Sequence, residues 1–500
     1  MCNEAPRKQF LPEPGSHQNG TVRPQLRLSP ARVMPAMNRR HQISLGMLLW
    51  AFACAAADRL SPVLRPGPHL FVDDFLIEQS SQLTRTVNSP TRSLDHPVVT
   101  GKEDKNWQPY VSVVRDPKTQ RFAMWYDASA KGKGSHLARM ESDDGVRWLR
   151  PHQVLADPAQ IIFGASVIDE GPDAKPPEFR YRFLWWTSGL WLAHSADGIR
   201  WKADQPRPVL TGTSDISSLA RDPIRNRYLA VFGMTSTKED GYKGSTPNAP
   251  EGFRRCVGQS VSADGVKWEP PRRIFKPDYQ DEGITEFYSV GGVVARGGLL
   301  IGLLKVLRDD LPCDPNGPRQ GIGYTVLAWT RDGENWQRER QPFFSRNLEK
   351  GSWDHAMAWG DCQLFVGDEL FIYYGGYARG HKVERETERQ IGLLRMPRDR
   401  YVSRTAGDKP GTLRTPLVML DGDAMTLNVD AREGTACVQV LGADGKAIPG
   451  FALADCEPVS ADAVAAPLRW KRPLSALRGQ TVRLEFTLRN ARLFGFDLQR

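Results

Sequence analysis

Ser142-Asp143-Asp144-Gly145-Val146-Arg147-Trp148 decides the fold because it returns three times, as Ser195 to Trp201, Ser262 to Trp268 and Thr330 to Trp336, each reading Ser/Thr-x-Asp-Gly-x-x-Trp. The tryptophans lie 53, 67 and 68 residues apart. Such periods exceed those of helical or leucine-rich repeats and suit four-stranded blades with loops of variable length. Within the phrase, Asp-Gly is a strong hairpin signal because both positions tolerate positive φ, and the Ser/Thr hydroxyl can bond the turn backbone. The Trp opens the next strand and offers its ring to the gap between blades, a burial of about 1.5–3 kcal/mol. The phrase is architectural, and the fold class it specifies is all-β: a five-bladed β-propeller followed by a small β-sandwich.

Working outward, each repeat divides into four strands. Blade one has an inner strand over residues 110–115, a turn at Asp116-Pro117, strands over 121–126 and 136–141, then the Asp-Gly turn. The second to fourth blades run from Phe163, Asp215 and Glu286 to Trp201, Trp268 and Trp336, and a fifth begins at Trp353, where the phrase decays to Arg398-Asp399-Arg400-Tyr401. Arg115-Asp116-Pro117 and Arg221-Asp222-Pro223 mark equivalent turns, Asp before Pro being good turn chemistry. The strand at Leu70, Phe71 and Val72 precedes blade one and is expected to close the ring by joining blade five, which removes exposed edges. A turn-rich boundary at 404–412 leads into alternating segments that read as a β-sandwich of about ninety residues. The expected divisions are 1–36, an extension ahead of the true start or a disordered one; 37–57, a signal peptide; 58–403, the propeller; and 411–500, the sandwich.

The net charge of +9 is unevenly placed: residues 1–57 hold seven Arg/Lys against Glu4 and Glu13, leaving +4 for the rest. No basic cluster interleaved with aromatics appears on a nucleic-acid module, so nucleic acid is excluded as a partner. The excess belongs to Arg39-Arg40, an apolar run over 43–53 and Ala55-Ala56-Ala57, in the order of an export signal. The expectation is a secreted or periplasmic protein with no membrane attachment once the signal is cleaved. Five cysteines remain after it, at 256, 313, 362, 437 and 456, an odd and scattered set with neither a disulfide framework nor metal-ligand spacing. Cys437 and Cys456 either pair or pack as thiols. The oligomeric state is left open.

Inner strands of a propeller start at one central funnel, so carboxylates at those starts meet there although distant in sequence. Asp215, Glu286 and Asp354 begin the inner strands of blades three, four and five and are the expected catalytic acids; Asp104, in a polar run before blade one, reads as solvated. Trp107, Tyr288, Trp353, His355 and His381 are the expected substrate-binding residues. Hydrolysis of a glycosidic bond needs one carboxyl to protonate the leaving oxygen and another to attack or to activate water, with aromatic faces holding the ring. No cofactor and no metal are expected, although His355 and His381 could also serve a cation in the funnel.

These residues carry a resemblance. The propeller resembles the glycoside hydrolase family 32 and 43 group, which repeats Ser-x-Asp-x-x-x-Trp phrases, and the trailing sandwich is similar to the family 32 arrangement. Residues 70–78, the strand ending at Tyr126, 367–370 and 448–451 resemble an exported bacterial family-32-like set, over roughly residues 68–500. The resemblance implies an exported glycosidase acting on an oligo- or polysaccharide through funnel carboxylates. The fructosidase signature Trp-Met-Asn-Asp-Pro-Asn and a Glu-Cys acid/base pair are absent, and blade one carries Trp107-Gln108 where an acid would stand. Fructan hydrolysis is therefore not supported, and a non-catalytic carbohydrate- or protein-binding propeller stays open as the alternative.

Overall fold

Five antiparallel meanders follow one another along the chain, and what joins them is the turn phrase. The computed structural model describes residues 61–129, 135–246, 249–381, 383 and 388–500. The expected leader and signal segments, 1–36 and 37–57, lie outside the described residues.

Blade one is built of Asn106–Arg115, Phe122–Ser129, Ser135–Ser142 and Gln153–Val154; blade two of Phe163–Asp169, Tyr181–Trp186, Leu190–Ser195 and Lys202–Ala203. Blade three comprises Ser217–Asp222, Arg227–Thr235, Arg255–Ser262 and Arg272–Phe275; blade four Thr285–Arg296, Leu299–Arg308, Ile322–Thr330 and Gln337–Arg338. Blade five has Met357–Val366, Glu369–Tyr377 and Arg389–Pro397. Each inner strand packs on the next, one through five, and the inner strand of blade five packs back on Asn106–Arg115, so the ring is closed.

In each phrase the Ser/Thr hydroxyl accepts the Gly N–H, at 2.8–3.0 Å in all four, and the glycines adopt φ of 70–75°. Each glycine also docks on the preceding blade. The Gly145 carbonyl accepts from the Tyr373 hydroxyl of blade five at 2.6 Å, Gly198 from the Trp125 indole of blade one at 2.8 Å, and Gly333 from the Gln259 amide of blade three at 2.9 Å. At Gly265 the Arg182 guanidinium of blade two closes in; an added Cβ would lie 2.4 Å from it. Glycine is required twice over, for the left-handed φ and for the close approach. The decayed fifth phrase makes the same joint with other groups: Asp399, at φ 66°, accepts from Arg296 of blade four at 2.7 Å.

A second ring of polar bonds runs midway along the inner strands. The Ser112 hydroxyl donates to the Ala165 carbonyl and accepts the Val167 N–H, both at 2.8 Å, joining blades one and two. Ser166 accepts the Leu219 N–H at 2.8 Å and Ser218 donates to the Val290 carbonyl at 2.5 Å, carrying the ring to blade four. The Gln363 amide donates to the Gly292 carbonyl at 2.6 Å, and Asp361 accepts the Val111 N–H at 2.7 Å, returning to blade one. Asp361 is the extra residue of a bulge between Gly360 and Cys362, which turns its side chain toward both Val111 and the buried Lys305 ammonium.

The strand at Gly67–Leu70 does not close the propeller. It pairs with Ala491–Gln499 in the sandwich, where Phe71 packs on Phe486 and Phe496 with ring centroids 5.5 and 6.0 Å apart. Ring closure falls to Thr91–Arg92, antiparallel to Arg389–Pro397, with a further bridge from Val99 to Ile391. The sandwich is thus made from both ends of the chain. One sheet contains Thr84–Val87, Val402–Ala406, Ala424–Asp430, Asp462–Leu468 and Ala491–Gln499; the other contains Val63–Leu64, Gln79–Ser81, Gly411–Arg414, Val418–Leu420, Thr435–Leu441 and Thr481–Arg489. The division expected at 58–403 and 411–500 shifts accordingly: strands within 63–87 and Val402–Ala406 belong to the sandwich, because they pair with its strands and bring Leu64, Phe71, Leu76 and Ala406 into its core. Cys437 and Cys456 are free thiols.

Candidate active site

At the funnel mouth, Asp215 and Glu286 are drawn to one residue, Arg255, the first residue of the third strand of blade three. The Arg255 guanidinium donates to Asp215 at 3.0 Å, and its backbone N–H donates to Glu286 Oε1 at 2.9 Å. Glu286 is 1% exposed, and its Oε2 has no hydrogen-bond partner among the described residues. Burial, the largest cause, pushes its carboxyl up to about 6; the Arg255 N–H pulls the other way, and neighbouring Asp309 adds to the rise. A cavity of about 210 Å³ opens beside it, lined by Ser214, Thr235, Phe253, Arg254, Arg255 and Glu286.

Tyr288, two residues along the same strand, places its ring under the Arg255 guanidinium at 4.9 Å and against Trp359 at 4.8 Å and His381 at 5.3 Å. His381 stacks on Tyr377, and Arg389 lies 4.7 Å over the Tyr377 ring while bonding Gln108. The start of blade one, which has Gln108 in place of an acid, is therefore held by an arginine of blade five. Trp107 stands beside it, half-buried.

Asp354 does not share these partners. One oxygen accepts from Arg92 and from the Tyr374 hydroxyl, both at 2.8 Å, so Asp354 anchors the short strand that closes the ring. Trp353 packs on Tyr374 at 5.4 Å, in space left by Gly376 and Gly392 of blade five. His355 turns to Asp314, its Nε2 3.0 Å from Oδ1. Asp104 is buried rather than solvated, because Arg150 folds over it with two 2.8 Å bonds. The Arg-Asp-Pro aspartates hold turns: Asp116 accepts the Lys118 and Thr119 N–H groups at 2.9 and 2.8 Å.

The sequence reading missed Asp127, at the end of the second strand of blade one and opposite Gln108 in register. It is fully buried, and its two oxygens form no well-made hydrogen bond among the described residues. Burial drives its carboxyl well above the usual range, offset only in part by the Ser135 hydroxyl and the Gly164 N–H. The Tyr110 hydroxyl is raised by burial, then by Asp215, Tyr377 and Asp127, so acids from blades one and three both act on this one ring. The signal was present in the sequence: Asp127 follows Phe122 to Tyr126, where an acid closing an apolar strand has no water to face.

The other end of the channel differs. Its cavity of about 450 Å³ is lined by the later halves of the inner strands, but Asp169 there is ion-paired to Arg180 and Asp361 to Lys305.

No protein-family model matches the chain, and no curated protein sequence does. Solved structures similar to it include one described as a glycoside hydrolase, 12% identical with a TM-score of 0.43, the match covering 62% of this chain and 92% of that one. A Bombyx mori GH32 beta-fructofuranosidase is 14% identical with a TM-score of 0.39, over 81% and 94%. An N-acetylgalactosamine deacetylase from F. plautii, solved with blood group B trisaccharide, is 16% identical with a TM-score of 0.38, over 64% and 96%. Likeness at this level assigns neither reaction nor substrate.

Proposed function

We propose that the funnel mouth cleaves a glycosidic bond, with Glu286 as the general acid and Asp215 as the carboxylate that attacks the anomeric carbon or activates water. The observation that carries this reading is Glu286 itself: a buried carboxyl pushed up to about 6, one oxygen without a partner, at the edge of a cavity. A group so placed holds a proton where a leaving glycosidic oxygen needs one, and catalytic acids are tuned by burial in this way. Arg255 ties the pair together, and His381 and the half-buried Trp107 supply polar and apolar contact for a sugar. The substrate class is an oligo- or polysaccharide met outside the cytoplasm, in keeping with the export signal expected at 37–57. N-terminal sequencing of secreted protein that retained residues 1–36 would remove that last element.

One observation favours the second reading, a propeller that binds glycans without cleaving them: the Asp215 carboxylate is already engaged by a guanidinium. A single experiment separates the two. Purified protein is incubated at pH 5 with a panel of plant, algal and microbial glycans, and chain cleavage and calorimetric binding are both read. The proposal expects cleavage of at least one glycan, reduced about 10²–10⁴-fold in Glu286→Gln. The rate of the parent should fall as pH rises through about 6, since only the protonated carboxyl can donate. Binding without cleavage establishes the second reading, and neither binding nor cleavage ends both.

A further inference from the structure

Cys313 and Asp314 lie in the loop between Leu299–Arg308 and Ile322–Thr330 of blade four, and His355 lies just before the inner strand of blade five. Among the described residues these three form a cluster whose donor atoms all lie within 4.8 Å of one another. Asp314 Oδ1 is 3.0 Å from His355 Nε2, and Asp314 Oδ2 is 3.9 Å from Cys313 Sγ. Arg346 gathers the two segments, since one guanidinium nitrogen donates to the carbonyls of both Cys313 and His355, at 3.0 and 2.8 Å.

The imidazole carries a further sign. His355 is 6% exposed, and each ring nitrogen faces an oxygen acceptor, Nδ1 the Asn347 carbonyl at 2.9 Å and Nε2 the Asp314 carboxylate. Nδ1 is taken up by a backbone carbonyl, which fixes the ring and leaves Nε2 as the nitrogen turned toward Asp314 and Cys313. This is the orientation in which metal-bound histidines are held, the outer nitrogen donating to a carbonyl and the inner one left to ligate.

We propose that Cys313, Asp314 and His355 bind a divalent transition metal of the zinc or cobalt type, with a fourth position open to water. Tetrahedral metal–ligand bonds of about 2.0–2.3 Å bring N and O ligands to roughly 3.3 Å apart and S to roughly 3.5 Å from either. Asp314 Oδ1 and His355 Nε2 already stand 3.0 Å apart, and the sulfur, 3.9 Å from Asp314 Oδ2, would draw closer as the metal binds. One thiolate with one imidazole and one carboxylate selects zinc or cobalt over calcium or magnesium, which prefer oxygen alone. The thiol and any proton on Nε2 leave to solvent as the metal binds, so binding releases protons. The metal would clamp the loop that also carries Asp309, the neighbour that acts on Glu286, to the start of blade five. The site is independent of the glycosidase reading, because its test involves no glycan.

The test uses the full chain after dialysis against chelator and reducing agent. Titration with cobalt(II) should give one equivalent bound, with visible ligand-field bands and a near-ultraviolet sulfur-to-cobalt charge-transfer band, and zinc(II) should bleach both. Cys313→Ser should abolish the charge-transfer band, and Asp314→Asn should weaken cobalt binding at least tenfold. Asp314 is half-exposed, so this second variant keeps the test open should the first fail to fold. Circular dichroism confirms folding in each. No band in the parent, or a band undiminished in Cys313→Ser, overturns the site and leaves the His355–Asp314 contact a structural one.

Discussion

Along the same five inner strands, polar groups meet opposite fates. Midway down, every group in the Ser112, Ser166, Ser218, Gln363 and Asp361 ring has a partner on the next blade. At the mouth, Glu286 Oε2 has none among the described residues, and Asp127 is met only in part by the Ser135 hydroxyl and the Gly164 N–H. Burying an unpaired carboxyl costs stability that nothing nearby returns, whereas the same cost midway is met by inter-blade bonds. Other buried polar atoms among the described residues also lack partners, the Trp148 indole and one Arg221 nitrogen included, so what sets Glu286 apart is a raised carboxyl at the edge of a cavity, a placement that supports the role proposed for it.

The largest effect is expected at Asp361. It receives Val111 of blade one and the buried Lys305 ammonium of blade four, so Asp361→Ala removes the last link of the ring and leaves a cation 4% exposed without its partner. Breaking a buried pair in this way costs about 3–5 kcal/mol. Denaturant unfolding of the variant should show that loss; a change below about 1 kcal/mol would mean the ring is held by packing alone.

That ring was only partly legible in the sequence. The four Asp-Gly phrases gave the all-β repeat and the blades, since turn chemistry is local and survives as text. The joints between blades were not legible, because Tyr373 meeting Gly145, or Asp361 meeting Val111, depends on a bulge and on strand positions 228 and 250 residues away. The same limit displaced the strand at residues 70–72: its apolar pattern fits an inner sandwich position as well as a closing strand, and only pairing with Ala491–Gln499 distinguishes them. That Glu286 and Asp215 come together was readable from their place at strand starts, and Arg255 is where they meet. Asp354 looked the same in one dimension, yet Arg92, 262 residues earlier, takes it for ring closure. Asp127 was not legible from inner-strand starts, because it is antiparallel pairing with Gln108 that brings the end of a second strand to the same mouth.

The second expected effect sharpens the contrast at Glu286. Its folded value, about 6 against 4.5 unfolded, means the native state binds this proton more tightly. The contribution to stability is fully present below about 4.5 and is lost as pH rises through about 6, an amount on the order of 2 kcal/mol. Glu286→Gln has no such proton to lose. Relative to the parent it should gain stability between pH 4.5 and 7 while losing the activity proposed above, the trade expected where an active site is held at a cost to the fold. Thermal unfolding at pH 4.5 and 7 checks this. A variant destabilised equally at both values would mean that Glu286 serves structure.

The smallest effect belongs to Ser166. Its hydroxyl accepts a single bond, from the Leu219 N–H, and it lines the cavity of about 450 Å³ at the far end of the channel. In Ser166→Ala that N–H loses its partner, but water in the cavity can replace it, so the cost should be only about 0.5–1 kcal/mol. Ser112 both donates to Ala165 and accepts from Val167, and is 7% exposed. Ser112 lines the same cavity but is the more buried of the two, so Ser112→Ala leaves two backbone groups rather than one without a partner, and about 1–3 kcal/mol should follow. Chemical denaturation of the two variants side by side tests whether the ring is graded by access to water. Equal losses would mean that solvent in the channel does not reach the Leu219 N–H, and that the satisfied part of the strands extends to the far mouth.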